Sequence, residues 1–144
     1  MSRCVTGLLG VLVLLAGCSK PTMREGFTEA YGTITLDGAP LVNAEIIFET
    51  PKGMSYGRTD SAGKYTAQYS RTLTGAGMGT ARVRISTKVV FPDDSLEGIK
   101  RDPKTGEYAK TETVPAIYNS KSTLTVEIKN GGAPYDFELK SKPG

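Results

Sequence analysis

Residues Tyr31 to Thr50 read YGTITLDGAPLVNAEIIFET, and this stretch decides the fold. It contains two runs in which apolar and polar residues alternate, Tyr31–Leu36 and Ala44–Thr50. The residues between them, Asp37-Gly38-Ala39-Pro40, are typical of a turn. A period of two is the pattern of a β-strand with one buried face and one wet face. The stretch therefore predicts two strands joined by a tight connection.

The same alternation recurs along the rest of the chain. It predicts five more strands, at about Ser55–Thr59, Lys64–Tyr69, Thr80–Val90, Ser122–Lys129 and Tyr135–Lys140. Turn sequences separate them, and Asn130-Gly131 predicts a hairpin between the last two strands. No segment has a helical period. Seven short strands in about 110 residues favour an all-β fold, an antiparallel β-sandwich.

The N-terminal region has a different pattern. An apolar run from Val5 to Ala16 follows Arg3 and ends at Leu15-Ala16-Gly17-Cys18. The run is about a dozen residues long, which suits a signal peptide and is too short to span a bilayer. The four residues at its end resemble the lipobox of bacterial lipoproteins, which implies that Cys18 is acylated and becomes the N-terminus. An ordinary secretory signal with a chance cysteine and an uncleaved short anchor are the alternatives.

These features divide the chain into three parts. Residues 1–17 are predicted to be a lipoprotein signal peptide, residues 18–29 the lipidated cysteine and a flexible tether, and residues 30–142 the sandwich domain. The domain includes a long loop at 92–113. Ser19 after the cysteine resembles an outer-membrane sorting signal. We therefore expect the protein to be lipid-anchored in the bacterial cell envelope, at the outer membrane rather than the inner one, and periplasmic or surface-exposed.

Composition excludes several classes of function. The chain has no histidine, so the Ser-His-Asp and Cys-His machineries are absent. Its two cysteines are Cys4, in the signal peptide, and Cys18, so neither a disulfide nor a zinc or copper site is expected. The net charge is only +3 and the charges are interspersed, which argues against nucleic acid as a partner. We predict no catalytic residue, no metal and no cofactor.

Three groups of residues carry a family resemblance. The sequence from Tyr31 to Ala44 resembles the opening motif of carboxypeptidase-regulatory-like domains, with Asn43 where that family usually has Gly. The turn Thr59–Tyr65 resembles its second motif. A third group resembles the ending of small lipoproteins abundant in planctomycete bacteria, and it consists of Val114–Asn119, Leu124–Ile128 and Tyr135–Leu139. The resemblance implies a transthyretin-like (prealbumin-like) Greek-key sandwich of seven strands and no peptidase activity.

Two better-defined relatives of that family do not fit. Transthyretin-related hydroxyisourate hydrolases use His and Arg and a characteristic C-terminal tetrapeptide, whereas this chain has no His and ends Lys142-Pro143-Gly144. Pilin-type Cna-B domains often carry an isopeptide bond from a Lys in the first strand, and Tyr31–Leu36 contains no Lys.

Two glycine-containing segments have simple structural interpretations. Gly75-Ala76-Gly77-Met78-Gly79 lacks the glycine spacing of a phosphate loop, so we expect a flexible connection between strands. Asp60 and Gly63 are expected to form a tight turn rather than a ligand site.

Four residues form a candidate ligand or partner surface. Arg82, Arg84 and Lys88 share one face of the fifth predicted strand, and Tyr108 is the fourth residue. The three cations could bind an anionic polysaccharide, or they could pair across strands with acids such as Glu127, Glu45 and Glu49. The seven tyrosines could form a sugar-binding face, although most are expected to contribute to the core.

The 92–113 loop is unusually long for a compact domain. Its acids could suggest calcium, but cations lie among them and no Asp-x-Asp-x-Asp-Gly loop is present, which favours partner contact or mobility. Asp102–Gly106 resembles a turn, so we expect a small hairpin with Tyr108 packed back.

The sequence leads to one functional hypothesis and one alternative. The first is a non-catalytic envelope protein, anchored to the membrane at Cys18, whose sandwich makes structural or protein–protein contacts with an envelope protein. The alternative is a module that binds carbohydrate or another ligand at the cell surface.

Overall fold

The computed structural model describes residues 23–144, so the predicted signal peptide and the acylated Cys18 lie outside the described residues. Strands dominate this part of the chain, and a single 3-10 turn, Ala116–Tyr118, is its one helical element. The strands are β1 (Phe27–Thr28), β2 (Ala30–Leu36), β3 (Ala39–Pro40), β4 (Glu45–Thr50), β5 (Gly53–Arg58), β6 (Lys64–Thr66), β7 (Ala76–Gly77), β8 (Gly79–Ser86), β9 (Lys100–Arg101), β10 (Tyr108–Ala109), β11 (Thr125–Ile128), β12 (Ala133–Pro134) and β13 (Phe137–Leu139). Each of the seven predicted segments holds one of these strands.

A four-stranded antiparallel sheet has the order β11-β8-β4-β5. On its inner face, Phe48 lies opposite Val83 and Ile46 lies opposite Ile85, and all four side chains are fully buried. The intervening residues point outward and are mostly polar or charged. The period-two pattern of the sequence therefore separates a core face from a solvent face, as predicted.

A second sheet forms around β2. This strand pairs antiparallel with β6 and β3, and parallel with β12 and β13. The prediction of a wholly antiparallel sandwich is wrong at the parallel pair, and the predicted hairpin at Asn130-Gly131 is wrong as well. After β11 the chain crosses to the other sheet through Gly131 and Gly132, both at positive φ, and starts β12 beside the start of β2.

Close approach of two backbones explains the glycine in the middle of β2. A Cβ atom at Gly32 would lie 2.1 Å from the carbonyl oxygen of Tyr135. Hydrogen bonds hold the C-terminal segment at this distance, because the Tyr135 amide donates to the Tyr31 carbonyl (2.7 Å) and the Thr33 amide donates to the Asp136 carboxylate (2.7 Å). Gly32 is thus a packing requirement of the parallel pair.

The two sheets enclose one apolar core. Phe48 is fully buried, and its ring centroid lies 6.0 Å from that of Tyr65, 6.2 Å from Tyr135 and 6.4 Å from Phe137. The buried Tyr65 hydroxyl donates to the Tyr135 carbonyl oxygen at 2.6 Å, and burial raises the pKa of this tyrosine. The described chain is therefore all-β and sandwich-like.

The folded part starts earlier than residue 30. Phe27 and Thr28 are buried and pair with β7, and the Phe27 ring packs edge-on against Tyr69 at 4.7 Å. Gly75 is buried too, and a Cβ there would lie 2.2 Å from the Thr28 carbonyl oxygen. Residues 75–77 are thus close-packed against the N-terminal strand, which corrects the expectation of a flexible connection.

Several strands are shorter than predicted, including β11 and β13, and the reason is clearest at β8 and β6. β8 ends at Ser86 rather than at Val90, because the amide of Thr87 donates to the Glu112 carboxylate (3.0 Å) instead of continuing the ladder. β6 ends at Thr66 rather than at Tyr69, although Gln68 still bridges to Tyr56 on the edge of the other sheet. Alternation continues past both ends in the sequence, but the hydrogen-bonding partners change.

Candidate functional site

The segment 87–113 lies over one end of the outer face of the four-stranded sheet, and a polar cluster fixes it there. Arg58, at the end of β5, donates from Nη2 to Asp94 (3.0 Å) and from Nη1 to Asp93, and its guanidinium lies 4.2 Å from the centroid of the Phe91 ring. The Lys110 ammonium donates to the other Asp94 oxygen at 2.7 Å. Two cations from different elements therefore share one carboxylate.

Asn43 completes this cluster from beneath. It has a positive φ of 56°, a conformation that Gly adopts freely and Asn tolerates better than most residues. Its side-chain amide donates to Asp94 (3.0 Å), and its oxygen accepts from Arg58 Nε (2.6 Å). An Asn at the position where the resembled motif has Gly was the one sequence signal that pointed to this anchor.

These contacts stabilise the ionised form of Asp94. Its pKa is held well below the ordinary value by the hydrogen bond from Lys110, then by the backbone amide of Phe91 and by Asn43. The Asp94 side chain is only 9% exposed, so it acts as an internal anchor rather than a free surface acid.

Glu112 fastens the other end of the segment. Its carboxylate accepts hydrogen bonds from the Ser86 hydroxyl, from the Thr87 amide and hydroxyl (3.0 Å each) and from the Val114 amide (3.0 Å). Burial alone would raise its pKa, but these hydrogen bonds outweigh burial and lower it. The segment is thus tied to the sheet at both ends by charged hydrogen bonds.

A small hairpin forms the outer part of the segment, as the sequence predicts. β9 and β10 pair antiparallel, and Tyr108 faces Arg101 in the register. The turn closes through the Asp102 carboxylate, which accepts the Lys104 amide at 2.7 Å, and through Gly106 at a φ of 74°. The hairpin brings Tyr108 back towards the sheet, where its side chain is 46% exposed.

A cleft of about 410 Å³ lies between the hairpin and the sheet. The sheet contributes Glu45, Ile47, Arg84 and Ser86 to its lining, the 87–113 segment contributes Lys88, Val89, Val90, Glu107, Tyr108 and Ala109, and the turn after the 3-10 element contributes Asn119 and Ser120. Binding sites for small ligands have volumes of about 300–1,000 Å³ and combine apolar walls with a few polar groups. This cleft meets both conditions.

The chain matches no protein-family model, no curated protein and no solved structure. The cleft is therefore interpreted from its own chemistry alone.

Three of the four predicted surface residues meet in this cleft. Arg84, Lys88 and Tyr108 line it together, although Tyr108 comes from the β9–β10 hairpin and Arg84 from β8. Arg82 does not line it; this side chain lies one row further along the sheet, where Nε donates to the Ser122 carbonyl at 2.9 Å. Three of the predicted surface residues thus line one cleft, and Arg82 lies outside it.

The predicted cross-strand pairing of the arginines is confirmed at one of the three acids named for it. Glu49 accepts from Arg84 Nη2 at 2.5 Å and lies 3.7 Å from Arg82 Nη1. The other two acids, Glu45 and Glu127, form no ion pair with these arginines among the described residues. Glu49 therefore offsets one of the two positive charges, chiefly that of Arg84, so this face is less cationic than the sequence suggests.

Glu45 is a cleft residue that the sequence suggested only as an ion-pair partner of the arginines. It lies on the outer face of β4 and is half-buried beneath the 87–113 segment. Burial raises its pKa, and the nearby Arg84 opposes that shift without cancelling it. Its place in an alternating strand marks it as outward-facing, and nothing in the sequence shows that a distant segment covers it.

The tyrosines divide between core and surface. Tyr65 is buried, whereas Tyr31, Tyr56 and Tyr108 are between 41% and 46% exposed. Tyr56 lies directly across the strand pair from Ile47, on the same sheet face as the cleft, and Tyr31 lies on the other sheet. Two of the exposed tyrosines thus flank the same patch of sheet.

The described residues provide no obvious metal site and no membrane span. Within residues 23–144, no group of three or more carboxylate, thiol or imidazole side chains is arranged to hold a metal ion. No helix in that range has the length and hydropathy needed to cross a bilayer.

Proposed function

We propose that the protein is a non-catalytic, lipid-anchored component of the bacterial cell envelope that binds a ligand in the cleft beneath the 87–113 segment. The observation that carries this proposal is the convergence of Arg84, Lys88 and Tyr108, which come from separate parts of the chain, on one cavity with an apolar floor at Ile47. A carbohydrate is the class of ligand named in the alternative hypothesis from the sequence.

The way in which the segment is fastened supports a binding role. Asp94 and Glu112 each accept several hydrogen bonds, so the roof of the cleft is held before any ligand arrives. A preorganised site loses less conformational entropy on binding than a loose loop. A segment that served only as a solvated connection would not need the hydrogen bonds that Asp94 and Glu112 accept.

We further propose that the domain belongs to the carboxypeptidase-regulatory-like group and has its seven-stranded, transthyretin-like Greek-key fold. The motif residues support this assignment because each performs a turn function. Asp37-Gly38 forms a tight turn at positive φ, and the Asp60 carboxylate accepts the amides of Ala62 (2.8 Å) and Lys64 (2.9 Å). Gly63, also at positive φ, closes that second turn.

The proposed lack of catalysis rests on the composition of the chain and of the cleft. The sequence contains no histidine. The titratable groups that line the cleft are carboxylates, cations and a tyrosine, and its Ser86 hydroxyl donates to the Glu112 carboxylate, a weak base because its pKa is lowered. We accordingly assign no catalytic residue and no cofactor.

Anchoring through Cys18, with the outer membrane as the destination, is a proposal from the sequence. It is tested by expressing the full chain and its Cys18→Ala variant in a bacterium supplied with radiolabelled palmitate. The parent chain should incorporate label and sediment with outer membranes, and the variant should do neither. A variant that still sediments with membranes would contradict the anchor.

The binding function is tested by capturing envelope components on the full chain, immobilised through a C-terminal tag in detergent. Mass spectrometry and sugar analysis would identify what is retained. Tyr108→Ala should abolish retention, and Tyr31→Ala is the matched control, because Tyr31 is similarly exposed but lies on the other sheet. Retention that both variants leave intact would place the function outside the cleft.

A contact with another protein is the second candidate function, and one surface feature favours it. Met54 and Tyr56 are neighbours on the outer face of β5, each is 45% exposed, and the Tyr56 hydroxyl lies 3.4 Å from the Met54 sulfur. In the same capture experiment, Met54→Lys should release a retained protein if this strip carries the contact. An unchanged yield of that protein would exclude the strip.

A further inference from the structure

The charges around the cleft cancel one another. Glu49 neutralises Arg84 from outside the lining, so the Arg84 guanidinium adds little net positive charge. The remaining charged groups of the lining are Lys88, Glu45 and Glu107. Arg82, which shares Glu49 with Arg84, brings the sum of charges around the cleft to zero. Because specific partners carry a charge complementary to their site, neither a polyanion nor a polycation is favoured here.

The cleft lining contains hydrogen-bonding groups of both kinds that the described residues do not use. Arg84 Nε is buried and donates to no acceptor among residues 23–144. A buried donor without a partner is unfavourable, and a rotation of the guanidinium into the cleft would let it donate to a bound molecule. On the acceptor side, the Glu45 carboxylate is half-buried and receives no side-chain hydrogen bond from the described residues.

Apolar surface completes the lining. Ile47 forms the floor, and Val89 and the Tyr108 ring form part of the walls. A molecule that presents hydroxyl groups on its edge and C–H groups on its face would satisfy both kinds of surface. Each hydroxyl is at once a donor and an acceptor, so it can serve Glu45 and Arg84 alike.

We propose that this cleft binds an uncharged saccharide, with Glu45 accepting from its hydroxyl groups, the Arg84 guanidinium turning to donate to them and the Tyr108 ring packing against the sugar face. This assignment rests on the proposed binding function and makes it more specific. It also replaces the anionic polysaccharide suggested by the arginines, because Glu49 already occupies them.

The test is titration of the full chain in detergent with maltotetraose, cellotetraose, mannotetraose and N-acetylchitotetraose, and with tetragalacturonic acid as the charged comparator. Calorimetry gives the dissociation constants. At least one uncharged tetrasaccharide should bind, with an affinity that changes less than about twofold between about 50 and about 500 mM NaCl, since no ion pair to the ligand is involved.

Variants of the chain test which side chains contribute to saccharide binding. Tyr108→Ala and Glu45→Ala should each weaken binding by about tenfold, and Tyr31→Ala should leave it unchanged. Glu45→Gln, which keeps an acceptor oxygen, should restore most of the affinity that Glu45→Ala loses. A melting temperature measured for each variant shows that the fold is retained.

Three results would overturn the proposal: binding of tetragalacturonic acid alone with a steep salt dependence, binding that Tyr108→Ala and Glu45→Ala leave intact, or no binding by any of the five compounds. The third result leaves the broader function standing if Tyr108→Ala still abolishes capture of an envelope component. Failure of both experiments would remove the binding function as well.

Discussion

The Asn43 side-chain amide donates a hydrogen bond of 3.0 Å to an Asp94 carboxylate oxygen, 51 residues further along the chain. Through this contact a turn residue of the sandwich holds the segment that roofs the cleft. The same Asn43 side chain accepts from Arg58, so the turn, the end of β5 and the roof are joined at one point.

We expect Asn43→Gly to fold normally but to loosen the roof, because Gly accepts the positive φ and offers no side chain. Asn43→Ala should have the same effect on the roof and cost about 1 kcal/mol more in unfolding free energy, since an alanine at this φ is strained. Hydrogen exchange of residues 88–110 and denaturant unfolding measure the two effects separately. Equal stability of the two variants would contradict the conformational part of the argument.

Acid should release the roof before it unfolds the core. The pKa values of Glu112 and Asp94 are lowered in the folded protein, so each carboxylate contributes stability that is present above its ordinary value, 4.5 and 3.8 respectively, and lost as pH falls through the lower folded value. Tyrosine fluorescence and hydrogen exchange from about pH 5 down to about pH 1 would follow the change. Glu112→Gln should lower stability at pH 7 and flatten this dependence.

Ionised Glu45 should make the opposite contribution to folding stability. Burial raises its pKa above the ordinary value of 4.5, so its ionisation destabilises the fold at neutral pH and has no effect well below 4.5, where it is protonated in both states. Glu45→Gln is therefore expected to raise the melting temperature at pH 7 and to leave it unchanged at pH 3. A lower melting temperature at pH 7 would show that its attraction to Arg84 outweighs burial.

The parallel pair of the second sheet should depend on Gly32. Gly32→Ala places a methyl group against the Tyr135 carbonyl oxygen, and we expect a loss of about 1–3 kcal/mol or more in unfolding free energy. Gly38→Ala is the matched control: this glycine has a φ of 83° and open space around it, so only backbone strain of about 1 kcal/mol applies. Similar losses for both would argue against the close approach.

Removal of divalent cations tests the remaining metal hypothesis for the 92–113 loop. Several of its acids already have protein partners, as Asp94 does with Arg58 and Lys110. The melting temperature should therefore be the same with and without a chelator. A fall of several degrees would mean that calcium contributes to the fold.

Local pattern predicted the strands well because alternation is a property of each strand by itself. Ile46 and Phe48 face the core as their spacing requires. Strand direction is different: a parallel and an antiparallel β13 would have the same alternation, so the sequence pattern could not show that the chain crosses between sheets after β11. The crossover depends on how the two sheets pack.

The cleft was predictable only in part, for a related reason. The sequence pattern marked Arg84 and Lys88 as outward-facing cations of one strand and Tyr108 as a residue of a hairpin. Each prediction used the pattern of a single element, so none could show that the elements meet. Their meeting point, and the burial of Glu45 beneath it, depend on the contacts of Arg58 with Asp94 across 36 residues. Such long-range pairing leaves only a weak trace in one sequence, here the Asn at position 43.

The buried N-terminal strand and the cleft lie near opposite ends of β8. Phe27 pairs with β7 just before β8 begins, whereas the cleft adjoins Ser86, where β8 ends. Eight residues of strand separate these two ends of the sheet by roughly 23 Å. The chain between Cys18 and Phe27 can reach at most about 30 Å. In the proposed lipoprotein, a lipid on Cys18 would keep Phe27 within that distance of the bilayer, whereas the cleft lies at the far end of β8.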